Sequence, residues 1–151
     1  DEDNTMVVRL AEELIEATGI DARLEFLHED YQRIGIEVDE RRAGALIGKR
    51  GTGIDAIELL LGRMVSHRVG RLVPVQVDVN GYRAGHEDEL RTMARELAGR
   101  VLESGVDEHL QPMNARDRRV VHLAVQEMEG LETYSLGEGS TKHIVIHRTD
   151  A

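Results

Sequence analysis

Apolar positions recur along the chain with two periods, and the switches between them mark out the elements. Val7, Leu10, Ala11, Leu14, Ala17 and Thr18 fall on one helical stripe, and Gly19 follows as a stop signal. Ala22, Leu24 and Phe26 alternate with Arg23 and Glu25; Ile34, Ile36 and Val38 alternate with Arg33, Glu37 and Asp39. Both runs predict half-buried strands, and the intervening "LHEDYQ" suits a hairpin link. After a short helix in "RRAGALIGKRGTG", a helical stripe returns at Ile54, Ile57, Leu61, Met64 and Val65. Thr52, with Asp55 three residues on, resembles a capping box at its start. Val73, Val75, Val77 and Val79 then alternate as a strand, with Pro74 confined to its beginning or to an edge.

A second unit follows without a long linker, repeat or low-complexity tract. Leu90, Met93, Ala94, Leu97, Val101 and Leu102 predict a long helix ended by Gly105. A short extended piece, "VDEHLQPM", leads to Asn114, a good N-cap, with Asp117 three residues on. Val120, Val121, Ala124, Val125 and Met128 form one face of the next helix, and "LETYSLGEGSTKHIVIHR" reads as two strands around a glycine-rich turn. The fold class is α+β, with one unit over residues 1–80 and a smaller one over 81–151.

Composition changes this picture in three ways. The chain has 151 residues, 40% apolar, which allows real cores in one mid-sized domain or two small ones. It has no cysteine, so it has no disulfide frame and no thiolate metal site, which fits a reducing compartment. No run approaches the roughly 18 apolar residues of a membrane span, so direct membrane insertion is not expected.

The formal net charge of -10 argues against nucleic acid until it is taken by region. Residues 1–40 carry thirteen acids against Arg9, Arg23 and Arg33; residues 41–71 carry seven cations against Asp55 and Glu58, a local net of +5. The positive charge gathers around the glycine turn, and local potential matters more for binding than the total.

That turn reads Gly48-Lys49-Arg50-Gly51. It is not a nucleotide P-loop: Gly44 and Gly48 are three residues apart rather than four, and Arg50 stands where a hydroxyl should hold magnesium. A dinucleotide fingerprint fails on spacing and sheet context. The remaining reading is a G-x-x-G turn between two helices. Its glycines permit close approach by a phosphate backbone, helix N-termini offer amide donors, and two cations at the tip neutralise the strand. An ordinary helix–turn–helix corner with exposed cations has the same local sequence. With its flanking "GALIGKRGTGIDAIELLLGRMV" and the elements around it, residues 4–80 resemble a type II KH domain (α-β-β-α-α-β). That resemblance implies a clamp for about four nucleotides of single-stranded RNA or DNA, formed by Gly48, Lys49, Arg50 and Gly51, with Ile47 against bases.

In the second unit, Arg118 and His122 are four apart and share a helix face, with Arg116 and Arg119 nearby. Helical geometry puts His122 well outside the apolar arc. The spacing alone suits a phosphate grip and a solvated face equally. In its context, from "QPMNARDRR" to "TYSLGEGSTKHIVIHR", it resembles the R-x3-H domain, a single-stranded nucleic-acid-binding module. A type II KH domain followed by that module is the arrangement of the bacterial Jag family, and the resemblance covers nearly the whole chain.

The resemblance implies non-catalytic RNA binding in the cytoplasm, linked to cell elongation and division, with a small single-KH protein or a second copy as a protein partner. It implies a second RNA site at Arg118 and His122, helped by Lys142 in the turn before the last strand. Family members commonly carry a further N-terminal domain and linker, and this sequence contains neither.

Rival chemistries find little support. There is no H-E-x-x-H, no G-x-S-x-G and no thiol, so no catalytic residue, cofactor or metal is predicted. His143 and His147 share a strand face but lie roughly 13 Å apart at about 3.3 Å per residue, too far for one metal. Aromatic residues make up only 3% of the chain, which argues against bases stacking on a sheet. A histidine of ordinary pKa at position 122 predicts a contact that weakens above about pH 6.5. A second class of function stays open: a module that pairs with another KH protein, for which charge at the turn is immaterial.

Overall fold

The computed structural model describes residues 2–27 and 32–150. The chain divides into two compact units, residues 1–83 and 84–151.

The first unit runs α1 (Glu2–Ala17), β1 (Ala22–Phe26), β2 (Arg33–Val38), α2 (Glu40–Ile47), a single 3₁₀ turn (Lys49–Gly51), α3 (Thr52–Val69) and β3 (Gln76–Val79). This is the element order predicted from the hydrophobic pattern. Strand β2 lies in the middle, antiparallel to β1 with Leu24 opposite Ile36, and parallel to β3 with Ile36 opposite Val79. A parallel pair needs a long crossover, and α2, the glycine turn and α3 supply it. The turn's place in the fold is therefore set by strand pairing. The predicted hairpin link falls largely on residues 28–31, outside the described residues.

The core explains the alternation. Ile34 and Ile36 point inward with Val77 and Val79 to meet Val7, Leu10, Ala11 and Ile15 of α1 and Ile54, Leu61 and Val65 of α3. Two expectations are corrected here. Strand β3 is shorter than the valine run: Val73 and Val75 are buried, yet they precede the ladder. The Val73 amide is served by a side chain instead, as the Ser66 hydroxyl accepts from Val73 N–H at 2.9 Å. Thr52 also does not cap α3. The cap position belongs to Gly51, with φ of 81°, and Asp55 bonds Arg83 instead.

Past the end of β3 a side chain extends the ladder. Asn80, with φ of 51°, accepts from Val38 N–H and donates to Val38 C=O, both at 2.9 Å. Arg83 then ties β3 to α3. Its guanidinium reaches the Val77 carbonyl at 2.9 Å, Asp55 at 3.2 Å and Glu58 at 3.0 Å.

The second unit is built from α4 (Tyr82–Ser104, which begins before the boundary), β4 (Glu108–His109), α5 (Ala115–Gln126), β5 (Leu131–Leu136) and β6 (His143–Arg148). All pairs are antiparallel in the order β4-β6-β5. The extended piece predicted before Asn114 thus contributes a two-residue strand to the sheet. Leu90, Ala94, Ala98 and Val101 of α4 pack with Val121, Ala124 and Val125 of α5 on Ile144 and Ile146. Gly105, with φ of 71°, ends α4 as expected. Asn114 caps α5 by accepting from Asp117 N–H at 2.9 Å. Asp117 is the exception in this core: a buried carboxylate, 4% exposed, whose Oδ2 lies 2.8 Å from His86 Nε2. Among the described residues no helix is long and apolar enough to cross a membrane.

Candidate nucleic-acid interface

The glycine turn is shaped by backbone contacts on both sides. Asp39 starts α2 by accepting from Arg41 N–H at 2.9 Å, and the Arg41 guanidinium beside it holds the Asp39 carboxyl below its usual value. At the other end Gly48 N–H donates to Gly44 C=O at 3.0 Å. Gly48 adopts φ of 69°, a region that side chains avoid. A Cβ there would lie 2.6 Å from Gly53 N. Gly51 is buried, and a Cβ on it would meet the Tyr82 ring at 3.1 Å.

Between these glycines Lys49 and Arg50 are exposed, and Arg50 sits at φ 57°, ψ 32°. A bulky residue in the left-handed region stores strain and is uncommon. Ile47 is half-buried, packed against the first core from the last position of α2. Sequence reasoning missed Gly53. A Cβ at that position would lie 2.1 Å from Leu46 O and 2.9 Å from Ile47 C and O. This glycine lets the first turn of α3 approach the end of α2 closely enough to form the turn. The repeated glycines of "GKRGTG" were a signal for it, but spacing alone assigned them only to phosphate.

In the second unit, α5 presents Arg118 and His122 at the flank of its buried face, both half-buried. Neither projects freely. Arg118 Nη1 donates to Met113 C=O, and Met113 N–H donates to Lys142 C=O at 3.3 Å. The two backbone groups of Met113, which belong to successive peptide units, thus bring Arg118 and the Lys142 backbone together. His122 lies against β5, with Nδ1 2.6 Å from Thr133 Oγ1 and Nε2 3.2 Å from Ser135 Oγ. Thr133 and Ser135 had no part in the predicted site; their alternation along β5 was the available signal. Arg119 is exposed and, at about 100° per residue, lies about 60° around the axis from His122 and about 100° from Arg118. Arg116 is exposed too but, at about 100° per residue, lies about 160° around the axis from Arg118. The structure therefore places Arg118 and His122 on one side of α5, with the Lys142 backbone tied to Arg118 through Met113, and leaves Arg116 on another side of the helix.

Desolvation, and secondly the Arg118 charge, push the His122 pKa below its usual value. The ring is therefore neutral near pH 7, and the transition expected at about pH 6.5 moves to lower pH. Among the described residues no group of three or more histidines and carboxylates is placed to hold a metal ion.

The family model of the R-x3-H domain matches residues 88–148, which include α5, β5 and β6. The chain is 30% identical over 144 residues to the RNA-binding protein KhpB of Streptococcus pneumoniae strain D39, covering 94% of this chain and 43% of that protein. It is 31% identical over 122 residues to the RNA-binding protein KhpB of Bacillus subtilis, covering 80% of this chain and 59% of that protein. A KhpB from Clostridium symbiosum is 29% identical over 127 residues. The chain thus spans about half the length of the curated relatives it matches. An R-x3-H domain and about 30% identity to KhpB proteins over most of its length place this chain in the Jag family.

Proposed function

We propose that this chain is a non-catalytic single-stranded RNA-binding protein that grips the strand at two places. In this reading residues 1–80 are a type II KH domain and residues 81–151 the R-x3-H domain. The RNA-binding names of the relatives and the R-x3-H match support RNA as the ligand class. The observation that carries the reading is the glycine turn. It holds two exposed cations at the tip, between backbone so close that side chains are excluded, at the start of a helix that no side chain caps from Gly51. Amides at such a helix start favour phosphate, and the absent Cβ atoms let a backbone come near. Ile47 offers an aliphatic surface for a base beside it.

The second grip is Arg118 with Arg119, Lys142 and the His122–Thr133–Ser135 group. Arg118 has donors beyond the one given to Met113, and a neutral His122 takes part as a hydrogen-bonding ring rather than a cation. A role as a cytoplasmic post-transcriptional regulator of cell elongation and division follows from the family reading.

Fluorescence anisotropy of a short labelled single-stranded RNA across a salt series tests the turn. Wild type should bind with a negative log-log salt slope, and Lys49→Asp/Arg50→Asp, shown to be folded, should lose that binding. Equal binding by both proteins would remove the clamp assignment and leave Arg118 as the primary contact.

A second reading has one observation in its favour. Leu59 and Leu60 stand side by side on α3 with 60% and 49% of their surface exposed, which suits pairing with another KH unit, from a small partner or a second copy. Sedimentation of wild type and Leu59→Glu/Leu60→Glu separates that role from RNA binding.

A further inference from the structure

Strand β5 is an edge strand, and its residues alternate between two faces. Thr133 and Ser135 meet His122 on the helix side. Tyr134 and Leu136 point to the other face, 43% and 46% exposed. On that face Tyr134 stands opposite Val145 of β6, which stands opposite His109 of β4. His143 and His147 flank Val145 two residues away on either side. One phenol and three imidazoles therefore surround a valine whose own surface is fully covered.

The rings are ordered in two pairs. Tyr134 and His147 lie with centroids 5.5 Å apart, tilted 56°. His109 and His143 lie 5.4 Å apart, tilted 37°, with Nδ1 and Nε2 at 3.2 Å. His143 Nδ1 is 3.0 Å from Thr141 C=O, a pure acceptor, so that nitrogen carries a proton and fixes the ring. Glu132, 3.7 Å from His147, is the carboxylate on this face, and none of its strand positions holds lysine or arginine.

We infer that this sheet face is a nucleobase-stacking platform, with Tyr134 as its principal ring. The proposal rests on the single-stranded RNA reading above and gives that strand's bases a place to lie. Two observations favour bases over other occupants. The face offers flat, polarisable rings, with Tyr134 and His109 exposed and His143 and His147 half-buried, and no lysine or arginine for a phosphate, so it suits the base better than the backbone. It is also continuous with the Arg118 and His122 group, because consecutive residues of one edge strand serve both. A strand whose phosphate is held at Arg118 passes round the β5 edge and sets a base on Tyr134. The low aromatic content concealed this, since a tyrosine and three histidines scattered in sequence meet only once the sheet forms.

The test uses the full chain and two labelled oligonucleotides: a decamer of uridine, and the same decamer with abasic residues that keep ribose and phosphate. For wild type, removing bases should weaken binding several-fold. Tyr134→Ala should weaken binding to the intact decamer by about fivefold or more and bind the abasic one as wild type does. Tyr134→Phe should stay within about twofold of wild type. Tyr134 ring protons should shift upfield in NMR spectra on adding the intact decamer. Unchanged affinity in Tyr134→Ala, with no ring shift, overturns the platform and assigns the face to a protein partner. Failure of wild type to bind either decamer overturns the RNA reading as well. Binding that is lost in Lys49→Asp/Arg50→Asp but indifferent to Tyr134 overturns the platform alone.

Discussion

Replacing Gly53 by alanine tests whether the glycine turn is held by direct backbone contact. The added Cβ would stand 2.1 Å from Leu46 O, whereas a carbon and a carbonyl oxygen ordinarily approach to about 3.3–3.6 Å. The start of α3 must therefore retreat from α2 by more than about 1 Å. Both neighbours are backbone, so no side chain can swing aside. Overpacking of this kind costs about 1–3 kcal/mol, against about 0.4–1 kcal/mol gained when alanine replaces a helical glycine. The net is a loss of about 1–2 kcal/mol. At Gly62, in the same helix, an added methyl would meet nothing within 4 Å, so Gly62→Ala keeps only the gain. The helical gain is common to both variants, so they should differ by the overpacking cost, about 1–3 kcal/mol. For a unit of about 80 residues each kcal/mol moves Tm by about 4–8 °C, so circular dichroism melts should separate by about 4 °C or more. If Gly53→Ala melts with wild type, or if both alanines shift Tm in the same direction, the close-approach argument fails.

Three other outcomes are expected. Arg50→Gly relieves the left-handed backbone and should stabilise the first unit by up to about 1 kcal/mol in urea unfolding, while weakening RNA binding; a loss of stability would deny the strain. Asp117→Ala removes the buried carboxylate that lies 2.8 Å from His86 and should cost about 1–3 kcal/mol, and a double-mutant cycle with His86→Ala should give a coupling energy clearly different from zero. The His122 ring should titrate by NMR with a midpoint below about 6.5, the usual value. Because its folded pKa is depressed, the neutral ring is favoured in the fold. Its stabilising effect is then present above the unfolded pKa and fades as pH falls below it. RNA affinity should accordingly show no His122 step between about pH 7 and 8, and a midpoint above about 6.5 would contradict the burial argument.

The hydrophobic pattern was enough to recover the element order, because burial on one face imposes period two on β1 and β2 and helical spacing on α1, α3, α4 and α5. It was less informative wherever a residue's role depends on a distant partner. Val73 and Val75 alternate like strand residues because they are buried, yet only pairing with β2 decides that the ladder begins at Gln76. Thr52 has a capping residue's identity, but the left-handed Gly51 takes that place. For the candidate site, Gly48 to Gly51 could be proposed from type and spacing, and Arg118 and His122 only with the flanking sequence that resembles the R-x3-H domain. Gly53, Thr133 and Ser135 could not, since one acts by making room and the other two act across eleven and thirteen residues of chain. Arg116 shows the converse: near Arg118 in sequence, it lies on another side of the helix.

If RNA occupies the proposed Arg118 site, the backbone of Met113 would link that occupancy to a measurable rate. Its oxygen accepts from Arg118 and its N–H is given to Lys142. A phosphate that draws the guanidinium outward would strip that oxygen of its donor and loosen the loop that carries the N–H. The Met113 amide would then exchange its hydrogen with solvent at a rate set by how fully the Arg118 site is occupied. A single backbone position would then report binding at Arg118 separately from binding at the glycine turn.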